Sequence, residues 1–124
     1  MVTALIVQPE QRPQITQLCN DRVFLDLSVS RGTDLMCTAV ALSLEDGIVI
    51  LYPSEGVSLC LSGNRRVGGR IIAGTFYIAG VKDGVLRSLT DTEIIKYTSQ
   101  FWDAEIFTDD EVFDSWFDDI FEPL

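Results

Sequence analysis

Up to Gly84 the chain alternates short apolar blocks with turns built from Gly, Pro and Asp, and from Leu89 onward it switches to apolar residues at helical spacing. Val2–Val7 is a compact apolar run ended by Pro9, and residues 15–18 form another after Pro13. The chain therefore opens with two strands around a proline-bounded turn. Asn20 or Asp21 is placed to cap a short helix through Leu27, with Val23, Phe24 and Leu27 on one face. Residues 35–44 are apolar and β-branched, and Glu45-Asp46-Gly47 supplies a turn before the run at 48–52, a hairpin pattern. Pro53 to Gly56 forms a second turn leading to a strand at 57–61. After a glycine-rich stretch, residues 71–81 give the strongest strand signal, with Asp83-Gly84 as the turn that follows. Gly74 inside that run signals a bulge or a close backbone approach.

Two helices announce their starts. Thr90 is followed three residues later by Glu93, the spacing of a capping box, and Leu89 is placed to staple onto Ile94. This predicts a helix from Asp91 to about Phe101. The same grammar recurs at Thr108 with Glu111, and with Phe107 and Val112 at the staple positions, so a second helix runs from Asp109 to about Phe121. The expected fold is α+β, an antiparallel-rich sheet of about five or six strands with two C-terminal helices. The chain has 124 residues, 47% hydrophobic and 23% charged, enough for one ordinary core. No apolar run is long enough for a membrane span, and Met1 to Val7 is not a secretory leader, so a cytoplasmic location without membrane contact is expected.

The chemistry inventory removes most catalytic classes. There is no histidine, which excludes Ser-His-Asp and Cys-His pairs and the commonest zinc and iron sites. Cys19, Cys37 and Cys60 have neither a knuckle spacing nor an even-numbered disulfide framework, and read as reduced, buried thiols. The segment Gly63 to Gly69 lacks the Lys-Ser/Thr of a phosphate loop and the GxGxxG spacing. No enzyme activity, cofactor or metal is expected.

Charge supplies the unusual feature. Of the 19 Asp and Glu residues, nine follow Phe101, where there is no Lys or Arg, so the tail carries nearly all of the net charge of −10. It also holds Phe101, Trp102, Phe107, Phe113, Trp116, Phe117 and Phe121. A disordered acidic tail is poor in aromatics, so this one is expected to fold or dock. On the second helix Val112, Phe113, Trp116, Phe117, Ile120 and Phe121 form a wide apolar stripe, expected to pack on the sheet, while Asp110, Asp114 and Asp118 stack on another face.

The opening strand into Val7-Gln8-Pro9 with Pro13, the turn expected at Gly63-Asn64-Arg65-Arg66, the run Ile71-Ile72-Ala73-Gly74-Thr75-Phe76, and Ser88-Leu89-Thr90-Asp91 resemble a family of small proteins of phages and conjugative elements, the domain of unknown function 3846. The resemblance covers residues 1–101 and brings no activity. It implies a gene of a phage or mobile element. The expected organisation is an α+β domain over 1–101, with 102–124, beyond the resemblance, an acidic, aromatic-rich helix docked on it. Where the family often has an Asn-Glu-Glu-Gly-Lys segment, this chain has Pro53-Ser54-Glu55-Gly56-Val57.

Three functions follow as expectations. The first is inhibition of a host nucleic-acid-binding defence protein, of anti-CRISPR or antirestriction type, by acidic DNA mimicry. Asp109, Asp110, Glu111, Asp114, Asp118, Asp119 and Glu122 place a charge about every 3 Å of helix, against ~3.4 Å per phosphate along a DNA strand, and Trp116 adds an apolar anchor. The partner would be a basic protein such as a CRISPR effector or restriction enzyme. Direct nucleic-acid binding is disfavoured by the acidity of the chain. The second is a module that sequesters a nucleotide signal through Asn64, Arg65, Arg66 and Arg70. The third is a small structural or interaction subunit of a mobile element, a homodimer through the aromatic stripe.

Overall fold

The computed structural model describes residues 2–18, 39–53 and 61–120. These form strands β1 (Val2–Val7), β2 (Gln14–Leu18), β3 (Ala39–Glu45), β4 (Ile48–Pro53), β5 (Gly63–Val67), β6 (Arg70–Ala73), β7 (Phe76–Lys82) and β8 (Val85–Arg87), and helices α1 (Asp91–Gln100) and α2 (Asp109–Ile120). One antiparallel sheet runs β2-β1-β7-β4-β3, with β8 also paired to β7, and β5 and β6 make a separate two-stranded sheet. The expected α+β architecture is the observed one. The helix expected over 21–27, the turn after Pro53, most of the strand expected at 57–61, and all three cysteines lie outside the described residues.

The apolar run at 71–81 is not one strand. Gly74 has φ +87°, a left-handed conformation that glycine adopts without a Cβ penalty, and it divides the run. Its N–H donates to the Ser62 carbonyl at 2.8 Å, outside any strand ladder. The chain leaves the small sheet there and enters the large one as β7. Apolar, buried residues continue on both sides of the break, which is why the run reads as continuous. The Gly63–Val67 segment, expected as a turn, is a strand. The turn falls one step later, at Gly68-Gly69, where both residues have positive φ as a two-residue hairpin loop requires.

Packing follows the alternation. Leu5, Val7, Ile48, Ile50, Phe76 and Ile78 line one face of the large sheet, where Tyr97 and Phe101 from α1 and its C-cap, and Ile72 and Val67 of the small sheet, close over them. Phe76 and Phe101 meet edge to face at 5.6 Å. The opposite face buries Ala4, Leu51, Tyr77 and Ala79. On the small sheet, Ile72 points to the main core while Ile71 and Ala73 point outward to Val112 of α2. The last helix thus docks on the two-stranded sheet rather than on the large one.

Both capping boxes form. The Thr90 hydroxyl accepts from the Glu93 amide at 3.2 Å and the Glu93 carboxylate accepts from the Thr90 amide at 2.8 Å. Thr108 and Glu111 repeat the arrangement at 3.1 and 3.0 Å. Glu93 does more than cap. It takes a two-pronged contact from Arg87 at 2.9 and 3.0 Å, and Arg87 lies across Gly80, where a Cβ would meet its guanidinium at 2.6 Å. The paired guanidinium, with help from Thr90, holds the Glu93 carboxyl down to about 2. Because this folded value is depressed, the pairing contributes full stability above the ordinary carboxylate value and loses it as pH falls toward 2. In thermal melts, Glu93→Gln is expected to lower the midpoint at pH 7, and the gap from wild type should narrow steadily as the pH is taken from about 4.5 downward. An unchanged gap across that window would show that the Arg87 pairing does not stabilise the fold.

Candidate functional site

The two candidate sites lie on neighbouring elements, and the structure treats them differently. Asn64 and Arg65 are expected as ligand contacts on a surface loop, but they are 0% and 1% exposed. A register shift between Gly63 and Arg65 accompanies this inward placement on β5. The Asn64 amide nitrogen donates to the Val7 carbonyl at 2.8 Å and the Gly74 carbonyl at 2.9 Å. Arg65 donates through Nε and Nη2 to the Phe101 carbonyl at 3.1 and 3.0 Å, through Nη2 to the Gln11 carbonyl at 2.6 Å, and through Nη1 to the Asn64 carbonyl and side-chain oxygen at 3.1 and 2.9 Å. These bonds occupy the guanidinium's donors. Burial lowers the Arg65 pKa, and the nearby carboxylates of Glu105 and Asp103 oppose that shift. Asn64 and Arg65 are therefore structural residues and leave the nucleotide-sequestering reading without its two central contacts.

Arg66 and Arg70 remain on the outside of the small sheet. Arg66 is exposed, its guanidinium 5.7 Å from the centre of the Phe107 ring, and its main-chain amide donates weakly to Glu105 at 3.4 Å. Arg70 is half-buried and close enough to Tyr52 to oppose the effect of burial on that phenol. The two cations thus sit among carboxylates and rings of this chain. Among the described residues no group of His, Cys, Asp and Glu is arranged to hold a metal ion.

The acidic site is built by the docking of α2. Val112 is buried against Ile71 and Ala73, and the Ser115 hydroxyl accepts from the Ile71 amide at 3.1 Å while donating to the Val112 carbonyl. Gly63 makes the approach possible: a Cβ there would lie 2.8 Å from Val112 and 3.0 Å from Phe107. With Val112 turned inward, Asp109, Asp110, Glu111 and Asp114 are all exposed. Phe113, on the expected apolar stripe, is 51% exposed beside them, so the stripe is narrower than its sequence suggests. Glu111 is committed to the capping box and held below the usual carboxylate range by its bonds to Thr108. Trp116, Asp118 and Asp119 lie further along the same helix, and Glu122 lies outside the described residues.

Asp103 and Glu105, which helix-based reasoning passes over, are exposed as well, and both act on Arg65 from the connection between the helices. They escape a periodicity argument because residues 102–108 are irregular. Their only signal in the sequence is the unbroken run of acids without bases.

A family model described as "Domain of unknown function (DUF3846)" matches residues 2–102. The chain belongs to this family. No curated protein and no solved structure matches it. The DUF3846 match ends one residue after Phe101, whose carbonyl receives Arg65, so α2 lies beyond it, although the glycine that seats α2 lies within it. No helix among the described residues is long and apolar enough to cross a membrane.

Two substitutions separate the roles. Arg65→Met strands the carbonyls of Phe101 and Gln11 and is expected to destabilise the fold in urea unfolding by about 1–3 kcal/mol for each buried acceptor left unpaired. Arg65→Lys should recover little of it, because an ammonium lacks the fork that spans these acceptors. Gly63→Ala overpacks the α2 contact, at a cost of about 1–3 kcal/mol. It should raise amide exchange over 109–115 while leaving β1 and β7 protected. Equal loss of protection in both regions would show that α2 is not a separately seated element.

Proposed function

We propose that this protein inhibits a basic, nucleic-acid-binding host defence protein of the CRISPR-effector or restriction-enzyme class by presenting α2 in place of a phosphate backbone. The observation that carries the reading is the docking geometry of α2. Among the described side chains, Val112 and the Ser115 hydroxyl seat the helix on β6, and Asp109, Asp110, Glu111 and Asp114 are left in solvent with no base after Phe101 to neutralise them. Asp110 and Asp114 are one helical turn apart, about 6 Å along the axis, near the spacing of alternate phosphates on a DNA strand. Carboxylates held this way can displace counterions from a basic channel as phosphates do. Exposed Phe113 adds an apolar contact of the kind that anchors interfaces. The phage or mobile-element origin that the resemblance implies supplies the setting.

The test is capture of such a defence protein, by the full chain, from a CRISPR- or restriction-positive host lysate, followed by affinity measurement with the purified target. Asp114→Lys with Asp118→Lys should weaken binding at least tenfold, since each reversal turns a close attractive pair into a repulsive one. The helix should keep its circular-dichroism signal, because bases toward a helix C-terminus suit its dipole. Wild-type affinity should fall as salt rises, and duplex DNA should compete for the target. Undiminished binding by the reversed variant, or affinity indifferent to salt, would reject mimicry by this helix.

A further inference from the structure

Among the described residues β2 is an edge of the large sheet, and that edge is incomplete in two independent ways. The first is in the main chain. Thr3 directs its amide to the Ser88 hydroxyl at 2.9 Å and its carbonyl to the Leu89 amide at 2.9 Å, away from β2. Antiparallel alternation then gives the bonds between β1 and β2 to Val2, Ala4 and Ile6 with their partners Leu18, Thr16 and Gln14. The residues between, Ile15 and Gln17, turn their main-chain N–H and C=O groups outward. Strand β2 ends the strand order of its sheet, so these groups face the edge.

The second is an apolar shelf beside that edge. Ile15 is 62% exposed, Ile95 of α1 67% and Trp102 42%, and together with Pro13, Ile94 and Thr98 they line one open groove between β2 and α1. Natural edge strands are guarded by charges, prolines or bulges. Here Pro13 only precedes the strand, and Gln14-Ile15-Thr16-Gln17-Leu18 carries no charge.

That neutrality decides the occupant. A basic or acidic foreign strand would find no complement on β2, whereas an identical neutral strand needs none. The charged side chains at this end of the groove, Arg12 stacked on Trp102 at 4.4 Å and Asp103, are opposite in sign. We propose that β2 pairs antiparallel with β2 of a second copy of this chain, about a two-fold axis at Thr16, joining the two large sheets into one. In that register the outward groups of Ile15 meet those of Gln17 of the second copy, and reciprocally. Ile15 lies diagonal to Ile15 of the second copy, within reach of a side-chain contact, and the two shelves adjoin. An isologous interface of this kind is self-complementary. It uses residues separate from the acidic face of α2, so either reading can fail without the other.

Light scattering and sedimentation equilibrium on the full chain, from about 1 to about 200 μM, should give twice the 13.8 kDa of the chain. Ile15→Lys should raise the dissociation constant at least tenfold with an unchanged circular-dichroism spectrum. Thr16→Cys tests the register without disturbing the shelf, since residues facing each other across a non-hydrogen-bonded pair have Cα atoms about 4.5 Å apart, within disulfide range. Under mild oxidation it should give a covalent dimer above the level that the native cysteines produce. Gln14→Cys, which would face residue 18 of the second copy, should not. A monomeric mass throughout the range, a dimer indifferent to Ile15→Lys, or no cross-link through Thr16→Cys overturns the proposal.

Discussion

A full positive charge, the guanidinium of Arg65, sits in the interior and joins three parts of the chain that are distant in sequence. Its acceptors are the Gln11 carbonyl in the connection between β1 and β2, both oxygens of Asn64, and the carbonyl of Phe101 at the end of α1. Asn64 carries the network on to Val7 at the end of β1 and to Gly74 at the break between the sheets. A cation at the carbonyl end of α1 complements both its unpaired acceptors and its dipole. Carbonyl oxygens stabilise the charge where a single carboxylate would have brought a second desolvation cost. The small sheet, the large sheet and α1, already in contact through the apolar core, are thus also tied by one side chain whose donors fit only one arrangement. This is a stricter constraint than the apolar contacts around it, which tolerate volume-conserving exchange.

What could be read from the sequence divides along the range of the interaction involved. Capping boxes at Thr90 and Thr108 involve residues three apart, and turns at Asp46-Gly47 and Asp83-Gly84 are set by neighbouring residues, so both helix starts and two hairpins were legible. The break at Gly74 was visible only as a possible irregularity. Nothing local distinguishes a bulge within one sheet from a crossing between two, because the deciding hydrogen bonds come from Ser62 and Asn64, ten or more residues away. Arg65 was misread for the same reason. An arginine in a glycine-rich stretch has the composition of an exposed anion site, and its burial depends on Phe101, 36 residues later. In the acidic segment the exposure of Asp110 and Asp114 followed from helical spacing, whereas that of Phe113 did not. In the described part of α2 the small sheet takes up Val112 and leaves Phe113 half-exposed, a mismatch with the apolar stripe that the sequence shows.

That mismatch bears on the last helix. The residues matched to DUF3846 end at 102, yet the seat for α2 is made by Gly63, Ile71 and Ala73 inside the match. The second capping box and the Ile71 to Ser115 bond hold the start of α2, whereas α1 is sealed by Tyr97 and Phe101 in the main core.

The acids of α2 do not all need the same explanation. Asp109, Asp110 and Glu111 occupy the first turn, where unpaired amides and the positive end of the dipole favour negative charge by about 0.3–1 kcal/mol each at a surface. Glu111 has its capping duty as well. Folding alone accounts for these three. Asp114 lies beyond the first turn and is exposed, while Asp118 and Asp119 stand in the last turn, where the dipole opposes them and the helix has no basic residue. Stacked carboxylates four residues apart also repel one another. For this second group stability argues against the residues present, so charge changes at Asp114, Asp118 and Asp119 probe an electrostatic partner most cleanly, whereas those in the first turn would confuse a weakened helix with a lost interface.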